Sequence, residues 1–118
     1  MKDVKQGDID AMLAEYDKMY AVAPNAQAGG KDRTSVVEAA RIEVAMRKFL
    51  SERNVKAFTT NFDALHEMHQ LPGLACQRLL ADGLGVGGEG DWKPAALVRT
   101  MKVTADGIPG GASVMSEH

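Results

Sequence analysis

Apolar residues recur at helical spacing over residues 8–22, where Ile9, Met12, Leu13, Tyr16, Met19 and Tyr20 share one face and Asp8 stands at the N-cap. Residues 24–32 carry the breakers Pro24, Gly29 and Gly30 and read as a mobile linker. Ser35 and Glu38 form a capping-box pair that opens a second helix ending near Asn54. Its predicted buried stripe is Ala39, Ile42, Met46, Phe49 and Leu50, and its solvated face carries Arg41, Glu43, Arg47 and Lys48. Period-two alternation over residues 56–62 predicts a strand, with Phe58, Thr60 and Phe62 on one side and Ala57, Thr59 and Asn61 on the other. After a polar stretch at 63–70, Pro72 suits the first turn of a third helix running to about Asp82, with Gly83 as its stop. Residues 84–88 read as a brief strand, 92–104 as a fourth helix, 106–112 as a turn and 113–118 as the start of another strand. Alternation of this kind gives an α/β fold, a partial layered domain of about four helices and two or three short strands.

Size and charge narrow the function. A chain of 118 residues allows one domain with a modest core. The net charge of −2 is spread without blocks, which gives nucleic acid and anionic membranes no handle. Aromatics make up only 5%, so base stacking is unsupported too. No apolar run is long enough to span a bilayer, and the polar N-terminus lacks a signal-peptide core, so a cytoplasmic location is expected. Cys76 is the lone cysteine, which excludes an internal disulfide, and it reads as a small buried apolar side chain.

The chemistry centres on Gly87-Gly88-Glu89-Gly90-Asp91-Trp92-Lys93. Glycines on either side of a glutamate let the backbone turn sharply and present the carboxylate, which suits a metal ligand or a general acid–base. Glu89 and Glu117 are the best carboxylate pair, since each follows a glycine-bearing segment. Two such groups around a divalent ion can bind a polyol and move protons between adjacent carbons, and Mn²⁺ or a similar ion suits such ligands. Three other patterns are read as structural. Gly85, Gly87 and Gly90 match a dinucleotide motif, but residues 74–80 before it read as helix and Glu89 would repel a pyrophosphate. His66 and His69 lack zincin spacing and read as surface histidines. Met12, Met19, Met46, Met68 and Met101 read as core packing rather than a soft-metal set.

A series of blocks now falls into one register: Gly7-Asp8-Ile9-Asp10 with Glu15-Tyr16, Glu38-Ala39-Ala40-Arg41-Ile42-Glu43, Ala57-Phe58-Thr59-Thr60-Asn61-Phe62, Gln70-Leu71-Pro72-Gly73-Leu74-Ala75, Gly88-Glu89-Gly90-Asp91-Trp92-Lys93 and Ala95-Ala96-Leu97-Val98-Arg99. In this order they resemble the L-arabinose isomerases over nearly the whole chain. The resemblance implies part of a larger sugar-isomerase fold. Residues 1–118 would form one segment of the central domain, with about 105–118 entering the C-terminal domain. It also implies interconversion of L-arabinose and L-ribulose through an enediol, a Mn²⁺ cofactor, and homo-oligomers, commonly hexamers, with active sites near subunit contacts. Glu89 corresponds to the first metal-binding, catalytic glutamate, and Phe62 to a phenylalanine that packs beside the sugar.

The chain also departs from that pattern. It resembles a central segment only, and two metal-binding histidines of the family lie beyond the matching region. Where the family reads Gly-Gly-Thr-Ser-Phe-Met-Glu-Asp, this chain has Gly110-Gly111-Ala112-Ser113-Val114-Met115-Ser116-Glu117. Ser116 therefore takes the register of the second catalytic glutamate, and Glu117 falls one residue late, a shift that turns a strand side chain to the opposite face. His118 stands beyond that position and is not one of the missing ligands. The expectation is an incomplete, inactive piece of an isomerase; the alternative is a non-catalytic sugar-binding or assembly module on the same scaffold. A third reading is a different pentose or a hexose as substrate, since Phe62 is the only recognised pocket residue. Helix faces carrying Met12, Tyr16, Tyr20 and Phe49 would then be exposed, and self-association is predicted. Sedimentation should give species larger than a monomer; a monodisperse monomer with a cooperative melt contradicts it.

Overall fold

The computed structural model describes residues 4–61 and 68–109. Among them, four α-helices and two strands follow in the order α1 (Gln6–Met19), a 3-10 turn (Pro24–Ala26), α2 (Arg33–Glu52), β1 (Ala57–Thr59), α3 (Gly73–Ala81), β2 (Gly85–Gly87) and α4 (Trp92–Thr104). This is the α/β partial domain expected from the pattern. The predicted strand at 113–118 lies outside the described residues.

Two helix starts differ from expectation. α1 begins ahead of Asp8, which sits in its first turn, and α2 begins at Arg33 after Asp32, with no side-chain cap at either end. The capping box does not form, and Glu38 instead approaches Arg41 at 3.5 Å. The segment before α2 is not a loose linker. The Asp32 N–H donates to the Asn25 carbonyl at 2.9 Å, and Arg33 clasps both carboxylate oxygens of Asp17 on α1 at 2.7 Å each. A Cβ at Gly30 would stand 2.2 Å from the Asn25 carbonyl oxygen, so this glycine allows the turn to close.

β1 and β2 run parallel, with Ala57, Phe58 and Thr59 opposite Gly85, Val86 and Gly87. All three β1 residues are half-buried, so the predicted two-sided alternation is not seen there. α4 lies across both strands, α3 touches β2, α2 rests on α3 and α1 on α2. The glycines of β2 permit this layering. A Cβ on Gly85 would lie 2.0 Å from the Ala95 carbonyl oxygen, and one on Gly87 would lie 2.4 Å from that of Asp91. Backbone therefore packs on backbone, with Ala95 and Val98 buried beneath α4.

The helical layer is built differently. Ile9, Tyr16 and Ala40 form a small apolar cluster edged by Met12, Leu13, Val36, Val37 and Leu74. Glu43, expected on the solvated face of α2, is fully buried. Its Oε2 accepts from the Tyr16 hydroxyl at 2.5 Å, and its Oε1 accepts from Arg78 Nε and Arg47 Nε, each at 2.8 Å. Arg47 reaches on to Asp82 at 2.6 Å, and the buried Arg78 also pairs with Glu15. The reason for the reversal lies on α3. Arg78 needs an anion in the core, and Glu43 is the α2 position that faces it. Burial, then the bond to Glu43, push the Tyr16 phenol far above its ordinary range.

Several apolar assignments change in consequence. Phe49, placed both in the predicted stripe and among the helix faces expected to be exposed, is 53% exposed, with the Arg53 guanidinium 3.9 Å from its ring centroid. Met19 and Met101 are also exposed rather than packed inside. Tyr16, predicted among the exposed helix faces, is buried; Met12 is half-buried, and Tyr20 is partly exposed as expected. Cys76 is half-buried, and burial raises its thiol pKa.

These contacts set the expected effects of four substitutions. Glu43→Ala removes the acceptor shared by two guanidinium groups and a phenol, leaving Arg78 with Glu15 and Arg47 with Asp82, and should cost about 3–5 kcal/mol of unfolding free energy in urea titrations; Tyr16→Phe, which removes one bond to a charged acceptor, should cost about 1–3 kcal/mol. Because the folded pKa of Tyr16 is raised, its contribution is intact below the unfolded phenol value of about 10 and is lost as pH rises beyond it. The phenylalanine variant should therefore lose stability less steeply above that pH. Among the glycines, Gly85→Ala should cost about 3 kcal/mol through its clash with α4 backbone. Gly73→Ala, which meets nothing within 4 Å, should instead stabilise the chain by about 0.5 kcal/mol in the same assay.

Candidate functional site

Glu89 lies in the short connection between β2 and α4. The Asp91 N–H donates back to the Gly88 carbonyl at 3.1 Å, closing a four-residue turn over residues 88–91. Its two central residues both have positive φ, +49° at Glu89 and +84° at Gly90, the φ combination of a type I′ turn. Glycine, asparagine and aspartate are the usual occupants there, because a Cβ crowds the backbone at positive φ. A glutamate at the first central position is strained, and such strain gathers at functional positions.

The turn is held from both sides. On one side, the Gly90 N–H donates to the Thr60 carbonyl at 2.7 Å, and the Thr59 hydroxyl donates to the Gly88 carbonyl at 3.3 Å. Thr59 and Thr60 had been read only as strand residues, yet they dock the turn onto the end of β1. On the other side, Asp91 caps α4, its Oδ1 accepting the Lys93 N–H at 3.1 Å. Glu89 itself is exposed. It therefore stands at the carboxyl end of two parallel strands, the edge where α/β sheets bind ligands.

The other candidate residues fall as follows. Phe62, His66 and Glu117 lie outside the described residues, while Asn61, just before Phe62, continues from β1 toward the same edge as Glu89. His69 is exposed. Gly85 and Gly87 are strand residues sealed by α4, and residues 74–80 lie in α3, so this glycine run does not cradle a phosphate. Among the described residues, no three carboxylate, imidazole or thiol groups gather where one metal ion could be held. Glu89 offers one hard oxygen donor, as Mn²⁺ prefers, but one donor is not a site. No described helix is long and apolar enough to cross a membrane.

Comparison with known proteins places the sequence in a family. A family model described as the L-arabinose isomerase central domain matches residues 1–107. The chain is 52% identical over 118 residues to the L-arabinose isomerase of Tolumonas auensis, covering all of this chain and 24% of that protein. It is 55% identical over 115 residues to that of Aeromonas salmonicida, covering 98% of this chain and 23% of the relative. It is 48% identical over 118 residues to that of Escherichia coli K12, covering all of this chain and 24% of the relative. The chain thus spans about a quarter of the length of the relatives it matches. By that match over residues 1–107 and these identities along its length, the chain belongs to the L-arabinose isomerase family, in the region of the central domain.

Proposed function

We propose that this chain serves the aldose–ketose isomerisation of L-arabinose to L-ribulose, and that Glu89 is its acid–base group. The strained turn carries this reading. A glutamate persists where glycine would relax the backbone, at the ligand-binding edge of the sheet. Isomerisation requires a proton to leave one sugar carbon and return to its neighbour, and a presented carboxylate can take and give it. A bound Mn²⁺ would supply Lewis acidity at the sugar oxygens. Glu89 is one donor to it, and the remaining donors come from elsewhere in the polypeptide or its assembly. Phe62, next along from Asn61, contributes an apolar wall for the sugar, and Glu117 is a weaker second carboxylate because Ser116 holds its register. The working protein is a cytoplasmic homo-oligomer on this reading, and the segment alone is inactive.

A graft tests the reading. Residues 1–107, placed in the matching region of the Tolumonas auensis isomerase, should support formation of L-ribulose from L-arabinose. In that graft Glu89→Gln should lower kcat by about 10²–10⁴-fold, the range for loss of an acid–base group, with little change in melting temperature. Unchanged turnover in the glutamine variant would remove Glu89 from the chemistry. In the 118-residue chain itself, Glu89→Gly should raise unfolding free energy by about 1 kcal/mol by relieving the positive φ, an increase that Glu89→Ala does not share. Equal stability of the two variants in urea would mean that the turn is not strained.

A further inference from the structure

Arg78 is a buried cation with an uneven set of partners. Its Nε bonds Glu43 at 2.8 Å, and NH2 pairs with Glu15. The rest of its hydrogen-bonding capacity meets weak acceptors: Met19 Sδ lies 3.1 Å and the Tyr20 hydroxyl 3.4 Å from NH1, and Met12 Sδ lies 3.9 Å from NH2. The rings of Tyr16 and Tyr20 stand 5.1 and 5.9 Å from the guanidinium carbon. NH1 thus spends its donors on a thioether and a phenol, although a charged donor gains most from a strongly polar acceptor. Met19, the last residue of α1, is 59% exposed.

We propose that Met19 is a site of sulfoxidation by hydroperoxides, and that the sulfoxide oxygen takes over the hydrogen bond from Arg78 NH1, tightening α1 onto α3. In the step, a sulfur lone pair attacks one peroxide oxygen. The S–O bond forms as the O–O bond breaks, the sulfur loses two electrons to the peroxide, and the second oxygen takes the proton of the attacked oxygen and leaves as water or, from an alkyl hydroperoxide, as an alcohol. The product is a strong acceptor, and with the sulfur now 3.1 Å from NH1 the exposed Met19 side chain draws back by about the length of the new S–O bond to set its oxygen at hydrogen-bonding distance from the buried guanidinium. Methionine oxidation ordinarily weakens a fold by putting a polar group among apolar ones; at Met19 the polar group meets a cation. Met101 on α4 provides an internal comparison, since it is 50% exposed without being a bonding partner of Arg78.

The test treats the 118-residue chain with graded hydrogen peroxide, assigns oxidation by peptide mass mapping and follows thermal melting, in wild type and in Met19→Leu. The substituted residue is exposed, so the leucine variant should fold. Expected is early oxidation at Met19 with a rise in melting temperature of about 4 °C, absent from the leucine variant. Met19→Gln, which offers a fixed amide oxygen to NH1, should raise the melting temperature without peroxide. The proposal fails if Met19 oxidises and the melting temperature stays level or falls, or if Met101 is oxidised while Met19 resists.

Discussion

The placement of Glu89 depends on one close approach, the Ala95 carbonyl of α4 lying against the bare Cα of Gly85. With α4 seated that low on β2, its first turn presses on Gly87, and only four residues are left to join strand to helix. A connection that short must reverse sharply, which brings both Glu89 and Gly90 to positive φ. The carboxylate is thus presented by a chain of steric consequences that begins in the strand. The threonines at the end of β1 then fix the turn to the neighbouring strand, so the site is braced by the sheet rather than left to a free loop.

The helical layer answers to a different constraint. α1, α2 and α3 meet around the Glu43 carboxylate, which accepts from Tyr16 on α1, Arg47 on its own helix and Arg78 on α3. A buried ion pair contributes less net stability than its Coulomb attraction suggests, because desolvation offsets much of the gain. Its effect is directional: the three helices can satisfy those groups in few other arrangements. An apolar cluster as small as Ile9, Tyr16 and Ala40 would tolerate sliding that the bonded carboxylate does not.

Most of the fold was legible in the pattern, and so was the glycine-flanked turn that leaves Glu89 exposed. The four helices appear close to the predicted bounds, and α4 matches at both ends because Asp91 caps it and its core-facing positions are regular. The two β-strands were shorter than predicted, since pairing needs a partner and β2 offers only Gly85, Val86 and Gly87. At Glu43 position outweighs charge, and the carboxylate is buried where its residue type predicts solvent. It falls in line with Ala40, Arg47 and Leu50, at alternating steps of four and three, which is a core-facing row whatever its side chains. No local signal announces that an arginine from a helix 35 residues away will complete that row. The structural reading of the glycine run holds at Gly85 and Gly87, where a neighbouring helix occupies the space their side chains would take. The strain at Glu89 could not be read at all, because φ follows from the length of the connection once α4 has been seated.

Trp92 is the only tryptophan in the chain; it opens α4 three residues after Glu89 and is 67% exposed. The protein therefore carries one indole chromophore beside the very turn that presents the carboxylate, with no second emitter of its kind to blur the signal. Its emission maximum and its accessibility to a collisional quencher report the hydration of that corner directly, so anything that settles over the β2–α4 junction, whether solute, ion or neighbouring polypeptide, can be followed optically without a label.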